Sequence, residues 1–178
     1  MINSLNAQLK NLELQAGYFA PYLSNIGGSL GCSFDLKEIG RKSNNQLKSN
    51  QVFQLLPQVS YFTQTNVSQN FLLNPELVYK WNKLDRRFFL TSSLGLGYLL
   101  SLQKQDGILN LGTGSIEYRY NALNYFLPTL NLGLGIDPKR HIGFFFKTSY
   151  GRKLSAQNVN SAFFGISTGL IIKFHAKQ

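Results

Sequence analysis

Apolar and polar residues alternate with a period of two along most of the chain, and the last such stretch shows it most clearly. From Gly165 to Phe174, the even positions carry large apolar residues and Thr168, whereas the odd positions are glycine, serine or lysine except at Ile171. A period of two places alternate side chains on opposite faces of a β-strand. This stretch therefore predicts a strand with one apolar face and one small or polar face.

Seven earlier stretches show the same division, so the sequence predicts eight strands. Their approximate limits are 12–23, 26–36, 53–61, 73–81, 88–100, 126–136 and 142–150, and the last strand covers 165–174. Polar segments separate the strands, among them a turn or small loop at 37–50 and a long connection at 101–119. We expect residues 1–11 to form a polar lead-in and residues 12–178 to form one β-barrel domain. Bulges or strand ends would accommodate Pro57, Pro75 and Pro128, since proline cannot donate to a strand ladder.

The composition of the two faces predicts which of them points outward. In all eight stretches one face carries large aliphatic and aromatic residues, and the other is mainly glycine, serine, threonine, asparagine and glutamine. The interior of an eight-stranded barrel is just wide enough for side chains to fill it, so the small residues suit the interior. The predicted fold is an all-β, eight-stranded, antiparallel up-and-down transmembrane β-barrel whose apolar face contacts lipid. The alternative is a soluble, lipocalin-like ligand-binding barrel with its apolar face inside.

Acidic and basic residues occur in equal number on the predicted lumen face. A narrow lumen favours pairing between them, because an unpaired buried charge costs much free energy. The sequence therefore predicts charge pairs inside the barrel, drawn from Glu13, Asp35, Glu76, Lys80, Lys147 and Lys173.

At the level of its strands, the chain resembles the small outer-membrane β-barrel proteins of Gram-negative bacteria, of the eight-stranded OmpX-like kind. The resemblance rests on the alternating strands, above all 94–98, 130–135 and the last strand through Phe174. It implies a location in the cell outer membrane. In that family the closing strand usually ends in an aromatic residue that the assembly machinery recognises, and Phe174 would take this part, although residues 175–178 extend beyond it.

The net charge of +10 is concentrated in the predicted turns at one end of the barrel. Short turns and both termini share this end, which in such barrels is the periplasmic one. We call the following residues the basic collar: Arg41, Lys42, Lys48, Arg86, Arg87, Lys139 and Arg140. Charge gathered at one rim argues against nucleic acid as the partner. Phospholipid headgroups or an acidic periplasmic protein would suit the collar, and plain solvated turns would explain it as well.

The sequence offers few residues for catalysis or for metal binding. The two histidines, His141 and His175, both lie at the predicted periplasmic end, whereas barrels of this kind that modify lipid A carry a histidine and a serine at the outer rim. The single cysteine, Cys32, excludes an internal disulfide, and no metal-ligand spacing is present. We predict no catalytic residue, no metal and no cofactor.

The predicted function is that of a non-enzymatic outer-membrane barrel, a structural or interaction subunit of an outer-membrane protein complex. Its expected partners are phospholipid and lipopolysaccharide, with other outer-membrane or periplasmic proteins as further candidates. Two alternatives stay open at this point: a lipid-modifying barrel enzyme and the soluble ligand-binding barrel.

Overall fold

A computed structural model describes residues 11–22, 25–43, 46–64, 67–83, 87–105, 107–110, 115–136, 141–155 and 160–175. These residues form β1 (Asn11–Pro21), β2 (Ile26–Ser43), β3 (Gln46–Gln64), β4 (Ser68–Lys83), β5 (Phe88–Lys104), β6 (Ile108–Asn110), β7 (Ser115–Glu117), β8 (Tyr120–Ile136), β9 (Ile142–Lys153) and β10 (Ser161–His175). Within the described residues, no helix is long and apolar enough to cross a membrane. The predicted lead-in lies outside the described residues except for Asn11.

Eight of the strands close into one barrel in the order β1, β10, β9, β8, β5, β4, β3, β2. Each neighbouring pair is antiparallel, and β1 pairs with β10 from Asn11 opposite His175 to Pro21 opposite Gly165. The strands β6 and β7 form a separate hairpin within the connection between β5 and β8. The predicted eight-stranded, up-and-down antiparallel barrel is confirmed.

The strands are longer than the sequence predicted at several places. Residues 37–50 were expected to form a turn or loop, but β2 continues to Ser43 and β3 begins at Gln46, with Arg41 opposite Ser49. The prediction was wrong here because it required apolar alternation, whereas backbone hydrogen bonds to a neighbouring strand also support a polar ladder. For the same reason β5 reaches Lys104, β8 begins at Tyr120 and β10 begins at Ser161.

The three strand prolines lie inside continuous strands, and each interrupts the ladder on one side only. Pro57 and Pro75 pair with each other across β3 and β4, but neither pairs with its other neighbouring strand. Pro128 pairs with Leu96 of β5 and lacks a partner in β9. The pairing thus stops on the side where the missing N–H would have donated, and neither a bulge nor a strand end is needed.

The apolar face points outward, as predicted. Along β5 the outward residues from Phe88 to Tyr98 include Leu90, Leu94 and Leu96, each more than half exposed. Ten residue steps at ~3.3 Å, tilted by ~40°, give an apolar band roughly 25 Å tall, which matches transmembrane barrels. The soluble alternative is wrong, because it requires these side chains to be inside.

Candidate functional site: the charged lumen and the rim of the barrel

Two ends of the barrel can be told apart, and the lumen changes in character between them. We call the end at which β1 begins and β10 ends the terminal end, and the opposite end, with the connection between β5 and β8, the loop end. From the terminal end inward, the lumen holds a cavity, two groups of ion pairs and then a closed apolar layer.

The carboxylate of Glu76 lies in the middle of the lumen and accepts hydrogen bonds from three donors. Its Oε1 is 2.8 Å from Lys147 Nζ and 3.0 Å from Asn74 Nδ2, and its Oε2 is 2.7 Å from Ser93 Oγ. Glu76 is 1% exposed, and Lys147 also donates to Gln58 Oε1 at 2.7 Å. Because both charges are buried and hydrogen-bonded, the pair fixes four strands to one another through their side chains.

A second group surrounds Glu13, nearer the terminal end. Glu13 Oε1 lies 3.1 Å from Lys80 Nζ and 3.2 Å from Lys173 Nζ, so two ammonium groups share one carboxylate. The Lys80 ammonium also lies 4.5 Å from the ring centroid of Phe89. Aromatic faces attract cations, so this contact offsets part of the cost of burying the second positive charge.

Asp35, the sixth of the predicted lumen charges, lies at the terminal mouth. Its Oδ1 accepts a hydrogen bond from Gln54 Nε2 at 2.7 Å. It lines a cavity of about 140 Å³, together with Glu13, Glu38, Lys80 and Lys173. A register shift between Asp35 and Lys37 changes the alternation of β2, and Glu38 consequently lines this cavity instead of the outer face.

The loop end of the lumen is closed by an apolar layer that the sequence analysis missed. Its members are Phe19, Phe62, Leu72, Leu99, Tyr125, Leu127 and Phe163. The rings of Phe19 and Phe62 meet edge to face with centroids 5.6 Å apart. The alternation carried a signal for this layer. Phe62 and Leu99 each lie two residues beyond a position assigned to the lumen, Ser60 and Gly97, and therefore on the same strand face.

The basic collar can be located only in part. The backbone positions of Arg41, Lys42 and Lys48 lie in the hairpin of β2 and β3 at the terminal end, and Arg87 lies exposed just before β5 at the same end. Arg86, Lys139 and Arg140 lie outside the described residues. The described strands that these three turns join all end at the terminal end, and both the clustering of the collar side chains and their binding role stay predictions.

The described residues show no group of three or more histidine, cysteine, aspartate or glutamate side chains that could hold a metal ion. His141 is exposed at the terminal end, where its carbonyl accepts a hydrogen bond from Lys173 N at 2.9 Å. Ser155 and Ser161 lie at the loop end, at the opposite end of the barrel from His141, and Ser115 lies in β7. The described residues therefore bring no predicted serine to this histidine.

Tyr22 marks the tight turn between β1 and β2 at the loop end. It has a φ of 56°, and its hydroxyl donates to the carbonyl of Ala162. Burial raises the pKa of the Tyr22 phenol above its ordinary value, because the phenolate would be desolvated. The Lys153 ammonium lies 5.2 Å from the ring centroid of Tyr22.

No protein-family model and no curated protein matches the sequence. Among solved structures, Neisserial surface protein A matches with a TM-score of 0.57 at 8% identity, over 92% of this chain and 96% of that one. The outer-membrane enzyme PagL matches with a TM-score of 0.53 at 16% identity, over 92% and 99% of the two chains. The N-terminal β-barrel domain of Pseudomonas aeruginosa OprF matches with a TM-score of 0.51 at 14% identity, over 93% and 98%.

The chain is thus an eight-stranded barrel with the fold of small outer-membrane β-barrel proteins. One of the similar structures is described as an enzyme, so this fold is compatible with catalysis as well as with other roles.

Proposed function

We propose that this protein is a non-enzymatic barrel of the cell outer membrane that acts as a structural or interaction subunit. The observation that carries the proposal is the filled lumen: ion pairs occupy its middle, and an apolar layer closes its loop end. A barrel filled in this way offers neither a passage nor a deep cleft for a substrate within the described residues. The outer face and the two rims are then the surfaces through which the protein acts.

The apolar band supports a location in the membrane. Its height of roughly 25 Å fits a bilayer, and its outward side chains include Leu96, Leu132 and Phe144, all more than half exposed. Soluble monomers rarely expose so large a continuous apolar surface.

The lengths of the connections support a periplasmic position for the terminal end. At that end the described strands are joined across residues 44–45, 84–87 and 137–141. The loop end carries short connections at 22–25 and 65–67 and also the two longest ones, 105–119 with its own hairpin and 154–160. Outer-membrane barrels place short turns in the periplasm and longer loops outside. On this basis the basic collar faces the periplasm, where anionic phospholipid headgroups or an acidic protein would bind it.

The test replaces Arg86, Arg87, Lys139 and Arg140 together with glutamine and isolates the protein from native membranes. We expect the variant to co-purify with less of the acidic protein or anionic lipid than the unaltered protein does. Added salt should lower the amount that the unaltered protein retains, since exposed charges are screened over about 8–10 Å near physiological ionic strength. The matched control replaces four loop-end bases, Lys104, Arg119, Arg152 and Lys153, with glutamine. If the collar variant retains every partner and lipid through the salt series, the collar is only a solvated rim.

A further inference from the structure

A groove of about 500 Å³ interrupts the outer apolar band on one side of the barrel. It runs over β4, β5, β8 and β9, and its lining is almost entirely apolar. Tyr79, Trp81 and Leu90 lie on one side of it, and Leu134 and Phe146 lie on the other. Among the residues that the structure describes, no charged side chain lines it.

Two short side chains explain why the band is indented here. One row of paired positions across the four strands reads Tyr79, Ser92, Leu132 and Thr148. The rows on either side carry large residues, such as Leu94 and Leu130 above and Leu90 and Leu134 below. Ser92 and Thr148 therefore leave space between larger neighbours at the height where a bilayer is most apolar.

The turns below the groove carry an excess of positive charge. The turns at 84–87 and 137–141 join the same four strands that form the groove. In sequence, these turns and the last residue of β4 hold five bases, Lys83, Arg86, Arg87, Lys139 and Arg140, against Asp85 and Asp137, which leaves a net charge of +3. Arg87, the described arginine of these turns, is exposed.

We propose that the groove binds one acyl chain of an anionic phospholipid in the leaflet at the terminal end, with the phosphate held at the level of Arg87. The proposal rests on the membrane location proposed above. Ser92 lies five residue steps from Arg87, or roughly 16 Å along the strand, which at a tilt of ~40° is ~13 Å along the membrane normal and about half the ~25 Å apolar height of such barrels. A lipid of that leaflet therefore matches both the apolar groove and the charged end below it.

The charges also argue against a second copy of the chain as the occupant. Two copies that met groove to groove in the same membrane orientation would bring two turns of net positive charge together, which costs free energy. Lipopolysaccharide would reach the groove from the opposite leaflet, where these bases do not lie. An anionic phospholipid alone satisfies both the apolar lining and the charge at one end.

Trp81, the only tryptophan of the chain, lines the groove and reports on it directly. The experiment reconstitutes the full chain in phosphatidylcholine vesicles and replaces a small, rising fraction of the lipid with phosphatidylglycerol whose acyl chains carry bromine. We expect Trp81 fluorescence to be quenched at a several-fold lower fraction of brominated phosphatidylglycerol than of brominated phosphatidylcholine. In the unaltered protein, excess unbrominated phosphatidylglycerol should reverse this preferential quenching.

The variant that fills the groove is Ser92→Leu with Thr148→Leu, and it should lose the preferential quenching. The matched control is Ala16→Leu with Cys32→Leu, on the far side of the barrel. Ala16 of β1 and Cys32 of β2 are outward, partly exposed small residues, and neither strand lines the groove. The control should keep the unaltered curve, and Arg87→Gln should move the phosphatidylglycerol curve toward that of phosphatidylcholine.

The outcomes separate this inference from the proposed function. If no brominated lipid quenches Trp81, the chain is not in the bilayer and the proposed location fails. If all brominated lipids quench equally, or if the filled variant behaves like the unaltered protein, the groove holds no preferred lipid and the inference is wrong. Preferential quenching by brominated lipopolysaccharide, or quenching that follows protein density instead of lipid composition, would assign the groove to another occupant and overturn it.

Discussion

The buried pair of Glu76 and Lys147 allows a quantitative test of what holds the barrel together. Replacing Lys147 with methionine keeps the length of the side chain and removes its charge. The Glu76 carboxylate then loses the ammonium at 2.8 Å and keeps two neutral donors, Asn74 and Ser93. Removal of one partner of a buried ion pair typically costs 3–5 kcal/mol, and because two neutral donors remain we expect a loss of ~3 kcal/mol.

The measurement is the free energy of unfolding in urea, with the barrel refolded into lipid vesicles and Trp81 fluorescence as the signal. Glu76→Gln should cost a similar amount, because it leaves the ammonium of Lys147 without a carboxylate. The double variant, Glu76→Gln with Lys147→Met, should cost clearly less than the sum of the two single changes, by about 2 kcal/mol, since neither charge is then left alone.

Lys173→Met provides the matched control. It removes the same kind of charge from an ion pair, but the Lys173 side chain is 24% exposed and its partner Glu13 keeps Lys80 at 3.1 Å. We expect a loss below about 1 kcal/mol, as for solvent-exposed pairs. Equal losses for Lys147→Met and Lys173→Met, or additive single changes at Glu76 and Lys147, would refute the argument that burial makes this pair important.

Four further predictions concern other parts of the barrel. Leu96→Arg and Leu132→Arg should each destabilise the inserted barrel by about 2–4 kcal/mol in bilayer unfolding experiments, if their positions lie near the midplane; neutral results would contradict the assigned outer face. Gly95→Val should cost about 1–3 kcal/mol in the same assay, because its Cβ would meet Thr129 and Asn74, whereas Gly28→Ala should be nearly neutral, because its Cβ would make only an ordinary contact of 3.8 Å with Gly17 O. Planar-bilayer recordings of the pure protein should show no stable open channel, because the apolar layer closes the lumen, and reproducible single-channel steps would refute that closure. The pKa of Tyr22 in the folded protein is raised above its ordinary value of 10.0, so its neutral phenol should contribute fully to the free energy of unfolding below pH 10.0. This contribution should fall as the pH rises above that value, and Tyr22→Phe should abolish the fall.

The sequence predicted the barrel well, because a period of two is a direct consequence of strand geometry. It located the two faces from residues such as Leu94 and Gly95, whose environments differ most. It failed at 37–50, since polar residues in a ladder carry no apolar alternation, and it did not find the register shift after Asp35 that turns Glu38 toward the cavity. Such a shift depends on hydrogen bonds between strands, which no single strand encodes.

Alternation and sign predicted six lumen charges, but not which of them lie close together. That Glu13 is shared by Lys80 and Lys173 follows from the closure of β1 on β10, which brings together positions far apart in the chain. The groove at Trp81 likewise depends on four strands in register, and only the small size of Ser92 and Thr148 within apolar stretches hinted at it.

The pairing of β1 with β10 has a consequence for how the barrel assembles. Asn11 lies opposite His175, so the contact that closes the barrel joins the two ends of the described chain. Until β10 is in place, β1 and β9 each present an unpaired edge, which is unfavourable in hydrocarbon because every exposed backbone group lacks a partner. The same step delivers Lys173 to Glu13, so closing the wall and completing the inner charge balance occur together. A chain that ends before β10 should accordingly accumulate as aggregation-prone material instead of as a smaller barrel, and the last strand becomes the point at which assembly is decided.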